Sequence, residues 1–318
     1  MYRLAVYILP FLLLVVIRKY RERKWGKCLN KVKLDGKTVL ITGANSGIGY
    51  EVAKELASRS AQVILACRTM EKANLTITKL QESLENTPDL IPMAIDLGSL
   101  ESVKEFASLV RKSCSKIDIM INNAGVAYRR SDRLKTQDGF EIHFGVNHLG
   151  HFYLTLLLED LVAKAKGRIV VVTSSLLEKG KVDLNAIKKF NFEQKVNLYA
   201  NSKLANVYFA QELARRTKDK EISVYAVCPG WVYTGLFRHS FRWYHYFFAP
   251  VAFLFMRSPK QGAQTVIYCA TEPTLDQESG LIYRDCMLYN SRIIFFDKLA
   301  RDLWSESENM ISSVIKNQ

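Results

Sequence analysis

The sequence predicts an α/β fold in which one doubly wound parallel sheet of about seven strands carries helices on both faces. The chain has 318 residues, of which 48% are hydrophobic and 24% charged, and this composition excludes a disordered chain. From residue 37 onward, short apolar runs alternate with amphipathic stretches, which is the pattern of βαβ units. No linker-like stretch interrupts the alternation, so residues 37–318 are expected to form a single domain.

Each predicted strand is a short run dominated by aliphatic residues, and parallel strands need crossover helices between them. The strands are expected at Lys37–Thr42, Ala61–Ala66, Ile91–Ile95, Ile117–Ile121, Arg168–Thr173, Ile222–Val227 and, as a seventh, Gly280–Arg284. The helices are expected at Gly47–Arg59, residues 70–86, a stretch after Ser99, Asp138–Lys166 and Asn197–Thr217.

Residues 1–17 are predicted to anchor the chain to a membrane. Leu4–Ile17 holds 14 residues without a charge, and at about 1.5 Å per residue their helix spans about 21 Å, short of a hydrocarbon core of about 30 Å. An anchor that crosses the bilayer and one that lies in a single leaflet therefore both remain open. A cleaved signal peptide fits less well, because the larger basic block follows the apolar run.

Half of the net charge of +14 lies in residues 1–36, which hold nine basic and two acidic residues. We interpret residues 18–36 as a basic juxtamembrane linker. Basic residues beside an apolar run tend to stay in the cytosol, so the domain is expected on the cytosolic face of the endoplasmic reticulum or, alternatively, on lipid droplets. Nucleic acid is not an expected partner, because this charge does not lie on a folded face.

A glycine-rich loop, Thr42–Gly49, lies between the first predicted strand and the first predicted helix. Its glycines let the backbone turn tightly and approach a pyrophosphate, and the helix N-terminus supplies amide donors. This placement predicts a Rossmann-type dinucleotide site. The contacting residues are expected to be Gly43, Asn45, Ser46, Gly47, Ile48 and Gly49.

The end of the second strand predicts which cofactor binds. An acidic residue there would bind the ribose 2′-hydroxyl of NAD, but Leu65–Thr69 contains no acid and offers Arg68. A guanidinium can pair with a 2′-phosphate. We therefore predict NADP(H).

Tyr199 and Lys203 are four residues apart on a predicted helix, which places both on one face. An ammonium group near a phenol lowers the phenol pKa, so the pair is suited to acid–base chemistry. Ser175 ends the fifth predicted strand and is expected to reach the same pocket at the carboxyl edge of the sheet.

With these residues in this order, residues 36–290 resemble the short-chain dehydrogenase/reductase family. The motifs that carry the resemblance are Thr42–Gly49, Asp96-Leu97, Asn122-Asn123-Ala124-Gly125, Asn147, Ser175, Tyr199 with Lys203, and Pro229–Thr234. The membrane-anchored, retinol-dehydrogenase-like branch is resembled in Ala66-Cys67-Arg68, Gly139–Phe152, Ser202–Asn206, Ser279-Gly280, Tyr283 and Asp285-Cys286. That branch implies NADP(H) and lipophilic alcohols or aldehydes.

The resemblance implies a role for each matching residue. Tyr199 is the implied general acid/base, Lys203 lowers its pKa and binds the nicotinamide ribose, and Ser175 hydrogen-bonds the substrate oxygen. Asn147 is implied to hold a water molecule that links Lys203 to solvent. The implied cofactor contacts beyond the glycine-rich loop are Asp96 at the adenine, Leu97, Asn123 near the adenine ribose, Ala124, Gly125, Pro229, Gly230, Val232 and, at the nicotinamide amide, Thr234.

Two stretches depart from the branch. Thr173 stands where the branch more often has serine, and Leu176-Leu177-Glu178 replaces a small or histidine-containing stretch. We expect catalysis to be retained and the substrate preference to be harder to infer.

His148 and His151 are three residues apart on a predicted helix, as metal ligands can be. No carboxylate or cysteine completes a site with them, so we interpret them as packed residues and predict no metal. The six cysteines lack CxxC spacing and are interpreted as free thiols.

Residues 231–258, here called the aromatic lobe, are predicted to cover the substrate. A packed helical lobe and a surface that dips into lipid both fit this segment, which also contains Arg238, Arg242 and Arg257. We expect a substrate mouth that faces the bilayer. The aromatic residues are Trp231, Tyr233, Phe237, Phe241, Trp243, Tyr244, Tyr246, Phe247, Phe248, Phe253 and Phe255.

Three functions are compatible with the sequence. The first is NADP(H)-dependent hydride transfer with a lipophilic alcohol or aldehyde, retinol or retinal foremost, and the second is the same chemistry on a steroid or polyprenyl lipid. The third is a non-catalytic membrane or lipid-droplet scaffold, which the intact set of Ser175, Tyr199 and Lys203 argues against. The expected partners are a lipophilic substrate and a membrane, and the oligomeric state is left open.

Overall fold

A computed structural model describes residues 2–85, 87–132, 134–189, 196–236, 252, 254–276 and 278–316. Its centre is an eight-stranded sheet in the order β3-β2-β1-β4-β5-β6-β7-β8, in which the first seven strands are parallel and β8 pairs antiparallel with β7. The strands are β1 (Thr38–Thr42), β2 (Gln62–Cys67), β3 (Leu90–Ala94), β4 (Ile119–Asn122), β5 (Arg168–Val172), β6 (Ser223–Val227), β7 (Leu281–Arg284) and β8 (Met287–Leu288).

The predicted doubly wound sheet is confirmed by two separate hydrophobic cores, one on each face. Along β1, Leu40 contributes to one core, while Val39 and Ile41 contribute to the other, as strand alternation requires. The helices are α1 (Tyr2–Glu22), α2 (Gly47–Ser58), α3 (Met70–Ser83), α4 (Leu100–Ser113), α5 (Ile142–Phe144), α6 (Gly150–Lys164), α7 (Leu184–Lys189), α8 (Leu198–Arg216), α9 (Pro259–Thr271) and α10 (Asp297–Ile315).

The structure adds one strand to the predicted sheet and divides one predicted helix. An eighth strand exists, but its two residues are too few to form a recognisable apolar run. The helix expected from Asp138 begins only at Ile142, because the Asp138 carboxylate accepts the Leu100 amide of α4 (2.9 Å) while Glu141 accepts the Phe144 amide (2.8 Å). A π-helical turn, Gly145–Leu149, then separates α5 from α6.

The N-terminal region consists of α1 and an irregular segment that lies against the domain. None of the helices in the described part of the chain is long and apolar enough to cross a membrane. The segment that follows α1 is not a free linker, because Leu34 is buried and its amide donates to the Arg59 carbonyl (2.7 Å). Asn30 also donates to the Glu272 carboxylate (3.0 Å).

Most of the aromatic lobe lies outside the described residues, which include only 231–236, 252 and 254–258 of it. The predictions that fall outside are those for Phe237, Arg238, Phe241, Arg242, Trp243, Tyr244, Tyr246, Phe247, Phe248 and Phe253.

Candidate active site

A cavity of about 980 Å³ opens at the carboxyl edge of the sheet, where ligands bind in open α/β folds. The loops after β1, β2, β3, β4, β5 and β6 all contribute to its wall. Every predicted site residue except Gly49 and Asn147 lines it: Gly43, Asn45, Ser46, Gly47, Ile48, Arg68, Asp96, Leu97, Asn123, Ala124, Gly125, Ser175, Tyr199, Lys203, Pro229, Gly230, Val232 and Thr234.

The glycine-rich loop has the geometry of a phosphate cradle. Gly43 and Gly47 have φ values of +67° and +59°, which other residues adopt only with strain. Gly49 does not line the cavity but allows the loop to close, since a Cβ there would lie 2.3 Å from the Gly43 carbonyl oxygen. The N-cap Ser46 makes no side-chain cap to α2, so the first amides of this helix remain available for an anion.

The side chain of Asn123 holds the loop after β4 against the loop after β1. It donates to the Thr42 carbonyl (2.8 Å), and the Thr42 hydroxyl in turn accepts the amides of Asn123 (2.9 Å) and Ala124 (3.0 Å). Both loops are therefore fixed by hydrogen bonds within the protein. A nicotinamide dinucleotide fits this preformed, glycine-lined groove.

Two basic side chains lie at the far end of the groove. Arg68 follows β2, lines the cavity and has an exposed side chain. Lys72 lines the same end of the cavity, and the sequence offered no reason to single it out. Asp96 also lies there, where it accepts the Gly98 amide (2.8 Å).

Tyr199 and Lys203 face the cavity from α8, and both are buried. Asn197 caps this helix by accepting the Ala200 amide (3.0 Å), which fixes where the catalytic face begins. The Lys203 ammonium donates to the Val172 carbonyl at the end of β5 (3.0 Å) and lies 5.8 Å from the centre of the Tyr199 ring.

The pKa of the Tyr199 phenol is raised, not lowered as predicted. Burial is the dominant cause, and a hydrogen bond with the Ser174 hydroxyl only partly offsets it. Burial also lowers the pKa of Lys203 to about 8. Burial thus opposes the charged form of both groups and sets the net direction of the phenol pKa, while the lowering that Lys203 is predicted to contribute stays a prediction.

Ser174 is a residue that the motif comparison missed. Ser175 lines the cavity as predicted, and so does Ser174, whose hydroxyl hydrogen-bonds to Tyr199. Both serines follow β5 directly and lie at the start of the 3-10 turn Ser175–Lys179. The double serine in the sequence was the available signal, but spacing alone could not distinguish its two members.

The side chain and the main-chain carbonyl of Asn147 are hydrogen-bonded within the protein, and its predicted role of holding a water molecule stays a prediction. Its side chain exchanges hydrogen bonds with the Val126 amide (2.8 Å) and carbonyl (3.1 Å) and donates to Ser202 (3.0 Å). Its carbonyl oxygen accepts from Asn206 (2.9 Å) and His151 (3.1 Å), which uses both of its lone pairs. Asn147 therefore joins the loop after β4 to α8.

His148 and His151 are buried, as the packing interpretation predicts, and both ring nitrogens of each have hydrogen-bond partners. His151 links the Asn147 carbonyl to the Thr42 hydroxyl (2.9 Å), and His148 links Asn206 to Ser307 of α10 (3.0 Å). Burial lowers the pKa of His151 to about 3 and that of His148 to about 4. Neutral histidines thus connect the cofactor loop, the π-helical turn and α10.

Glu178, one of the residues that depart from the retinol-dehydrogenase-like pattern, binds the C-terminal region and lies three residues after Ser175. One of its carboxylate oxygens accepts from the Tyr289 hydroxyl (2.8 Å), the Ser291 hydroxyl (3.0 Å) and the Arg292 amide (3.3 Å). Its neighbours Leu176 and Lys179 line the cavity. Sequence reasoning missed this contact, because the partners lie more than 100 residues apart.

Comparison with known proteins identifies the family. Residues 37–245 match the short chain dehydrogenase family. The chain belongs to this family. Human retinol dehydrogenase 11 is 40% identical to this short-chain dehydrogenase over 316 residues, which cover 98% of this chain and 97% of the relative. Human retinol dehydrogenase 12 is 40% identical over 288 residues, covering 89% and 88%, and bovine (Bos taurus) dehydrogenase/reductase SDR family member 13 is 38% identical over 300 residues, covering 93% and 78%.

Solved structures share the fold. An uncharacterised protein from Mycobacterium paratuberculosis superposes with a TM-score of 0.69 at 28% identity, covering 91% of this chain and 98% of its own. L-sorbose reductase from Gluconobacter frateurii, solved with NADPH and L-sorbose, has a TM-score of 0.64 at 20% identity, covering 80% and 96%. This short-chain dehydrogenase is therefore an oxidoreductase of alcohols and carbonyl compounds that uses a nicotinamide cofactor.

Proposed function

We propose that this enzyme transfers hydride between NADP(H) and a lipophilic alcohol or aldehyde, most naturally retinol and retinal. The observation that carries the cofactor preference is the pair Arg68 and Lys72 at the far end of the groove, where the residues directly after β2, 68–70, include no acid. Two cations there favour a 2′-phosphate over a 2′-hydroxyl. The relatives named as retinol dehydrogenases support the substrate class.

The chain's own residues supply the proton chemistry of this reaction. The nicotinamide, when bound, gives or takes the hydride. In the reductive direction the Tyr199 hydroxyl donates its proton to the substrate oxygen, and its raised pKa keeps it protonated at neutral pH. Ser175 hydrogen-bonds that oxygen as charge develops on it, while Ser174 orients the phenol. The Lys203 ammonium stabilises the phenolate that remains.

The proposal is tested with the full-length protein in detergent. Oxidation of NADPH and of NADH is followed against retinals, steroid ketones, polyprenals and short aldehydes. We expect NADPH to be preferred and retinal to give the highest kcat/KM. Preference for NADH would contradict the cofactor assignment. A higher kcat/KM on a steroid or a polyprenal than on retinal would show that the substrate is a steroid or a polyprenyl lipid.

We further propose that α1 lies in the membrane interface on the cytosolic face of the endoplasmic reticulum or of a lipid droplet. On its exposed face lie Leu12, Leu13, Val16 and Ile17, with Leu13 at 59% and Val16 at 63% exposure. Trp231 and Tyr233 are also exposed, and Trp231 lines the cavity. An aromatic side chain at the mouth suits a substrate that enters from lipid.

Vesicle flotation tests the interfacial proposal. Val16→Glu places a charge on the exposed face of α1 and should release the protein from phosphatidylcholine vesicles. Leu109→Glu, at an exposed apolar position of α4, is the matched control and should float like the wild type. Equal flotation of all three proteins would contradict attachment through α1.

A further inference from the structure

Residues 18–28, here called the N-terminal docking segment, form side-chain and backbone contacts with the catalytic domain. After α1, the Trp25 amide donates to the Glu22 carbonyl (3.1 Å) and turns the chain toward the domain. The Gly26 amide then donates to the Asp285 carboxylate (3.3 Å), and the Cys28 amide donates to the Gln264 side chain (3.1 Å). The segment is therefore bound both to α9 and to the turn between β7 and β8.

Gly26 is in direct backbone contact with that turn. A Cβ at this position would lie 2.1 Å from the carbonyl carbon and oxygen of Asp285, which no real side chain tolerates. Asp285 and Cys286 both have φ values of +56°, which is unfavourable for residues other than glycine. The docking segment therefore packs against a turn whose conformation needs support from its surroundings.

Two guanidinium groups lie over the ring of Trp25. The Arg18 guanidinium is 5.6 Å from the ring centre and also donates to the Met256 carbonyl (3.2 Å). The Arg257 guanidinium is 5.1 Å from the ring centre. A partly desolvated cation above an indole ring is attracted by the negative face of the ring, so Trp25 helps to hold Arg257 in place.

Arg257 is buried and contacts the loop after β6. Its guanidinium pairs with Asp285 (2.6 Å) and donates to the Pro229 carbonyl (3.4 Å), and a Cβ on Gly230 would lie 2.8 Å from the centre of the guanidinium. Its main chain pairs with the same loop, because its amide donates to the Trp231 carbonyl (2.7 Å) and its carbonyl accepts the Tyr233 amide (2.8 Å).

The loop at residues 229–234 forms one wall of the cofactor groove. Pro229, Gly230, Val232 and Thr234 line the cavity, and Thr234 lies close to the glycine-rich loop, since its Cγ2 would be 3.1 Å from a Cβ on Gly47. Any shift of Arg257 therefore moves the wall that faces the nicotinamide end of the groove.

We propose that the N-terminal docking segment completes the cofactor site from outside. Trp25 and Gly26 hold Arg257 and Asp285, and Arg257 holds residues 229–233 in the conformation that receives the cofactor. Trp25, Gly26 and Arg257 are thus positioning residues. This assignment needs only a nicotinamide cofactor, and it does not depend on the proposed substrate or on the preference for NADP(H).

Cofactor titration of the full-length protein in detergent tests the assignment. NADPH and NADH fluorescence are both recorded, and the cofactor that binds the wild type more tightly is used for the variants. We expect Trp25→Ala and Gly26→Val to raise its Kd about 5- to 50-fold, as the loss of one or two such contacts implies. The cofactor KM should rise more than kcat falls. Trp25→Phe retains an aromatic ring for the two cations and should recover most of the affinity.

Lys27→Ala is the matched control, because Lys27 is exposed and lies next to Gly26. It should bind the cofactor like the wild type. A Kd within twofold of the wild type for Trp25→Ala would overturn the assignment, and so would equal losses for Trp25→Ala and Lys27→Ala. If the wild type binds neither NADPH nor NADH, the assignment of a nicotinamide cofactor fails, and this result is distinguishable from a failure of the docking-segment proposal alone.

Hydrogen exchange of the wild type provides a second measurement that needs no variant. If docking of the segment favours cofactor binding, cofactor binding must favour docking by the same factor. Saturating cofactor should therefore slow exchange of the Gly26 and Cys28 amides about 5- to 50-fold, the factor expected for Kd. Unchanged exchange at both amides would overturn the proposal, whether or not the variants fold.

Discussion

The cofactor side and the substrate side of this active site are built in different ways. On the cofactor side, the glycine-rich loop is held by the backbone and by the neighbouring loop, as in the contacts of Asn123 with Thr42. On the substrate side, side chains join segments that are far apart in the chain, as Glu178 joins residues 289–292. The cofactor loop is thus fixed through a main-chain acceptor and the region beside Ser175 through a side-chain carboxylate, although in both cases the partners lie more than 80 positions apart in the chain.

The largest effect is expected from the residue on which both sides converge. Tyr199→Phe removes the proton donor but keeps the ring, so kcat should fall about 10²- to 10⁴-fold while cofactor affinity stays near that of the wild type. Turnover and nicotinamide fluorescence measure the two quantities. Tyr153→Phe, the same change on α6, should retain activity. A Tyr199→Phe enzyme with more than about a tenth of wild-type kcat would show that another group is the acid.

A smaller effect is expected on the cofactor side alone. Arg68→Asp replaces a cation with an anion at the far end of the groove, so the Kd for NADPH should rise about 10- to 100-fold and NADH should bind better than before. Fluorescence titration with both cofactors measures this. Lys79→Asp makes the same charge change at an exposed position of α3 and should leave both affinities unchanged. Equal losses in the two variants would indicate a general electrostatic effect.

A change on the substrate side should alter the KM for the aldehyde and leave the cofactor Kd unchanged. Glu178→Ala removes the acceptor for three donors, so the KM for lipophilic aldehydes should rise about 5- to 20-fold, with cofactor Kd unchanged and kcat altered less. Glu178→Gln keeps an oxygen acceptor and should recover part of the loss. Steady-state kinetics with one long and one short aldehyde measure the difference. Parallel losses of cofactor affinity would mean that the two sides are not separable.

The smallest effect is expected in the pH dependence of the free energy of unfolding. Because burial lowers the Lys203 pKa to about 8, the folded protein releases this proton before the unfolded chain does. Between about pH 8 and 10 the Lys203 side chain carries its proton more often in the unfolded chain than in the folded protein. The contribution of Lys203 to the free energy of unfolding should therefore rise by about 1–2 kcal/mol over this range. Buried cysteines with raised pKa values oppose this trend, so the quantity to measure is the difference between wild type and Lys203→Met.

That difference is obtained from urea unfolding of the cofactor-free protein at a series of pH values. Wild type should gain stability with pH relative to Lys203→Met. A difference that stays constant across this range would mean that Lys203 keeps an ordinary pKa, and the ammonium would then be better solvated than its burial indicates.

By itself, the sequence determined the alternation of strands and helices, the glycine-rich loop, Arg68, and the spacing of Tyr199 and Lys203. These features depend on neighbouring residues, whose periodicity and conformational preferences are local. Only the tertiary structure decided that Ser174 contacts Tyr199, that burial raises the phenol pKa, and that the Asn147 carbonyl is already hydrogen-bonded.

The same holds for residues 18–36, whose basic character is visible in the composition, while only the structure shows that Gly26, Cys28 and Leu34 lie against the domain. Gly26 contacts a residue 259 positions away, and Glu178 one that is 111 positions away. Contacts over such separations leave no periodic pattern in the sequence, because each partner is selected by the space that the folded sheet brings beside it.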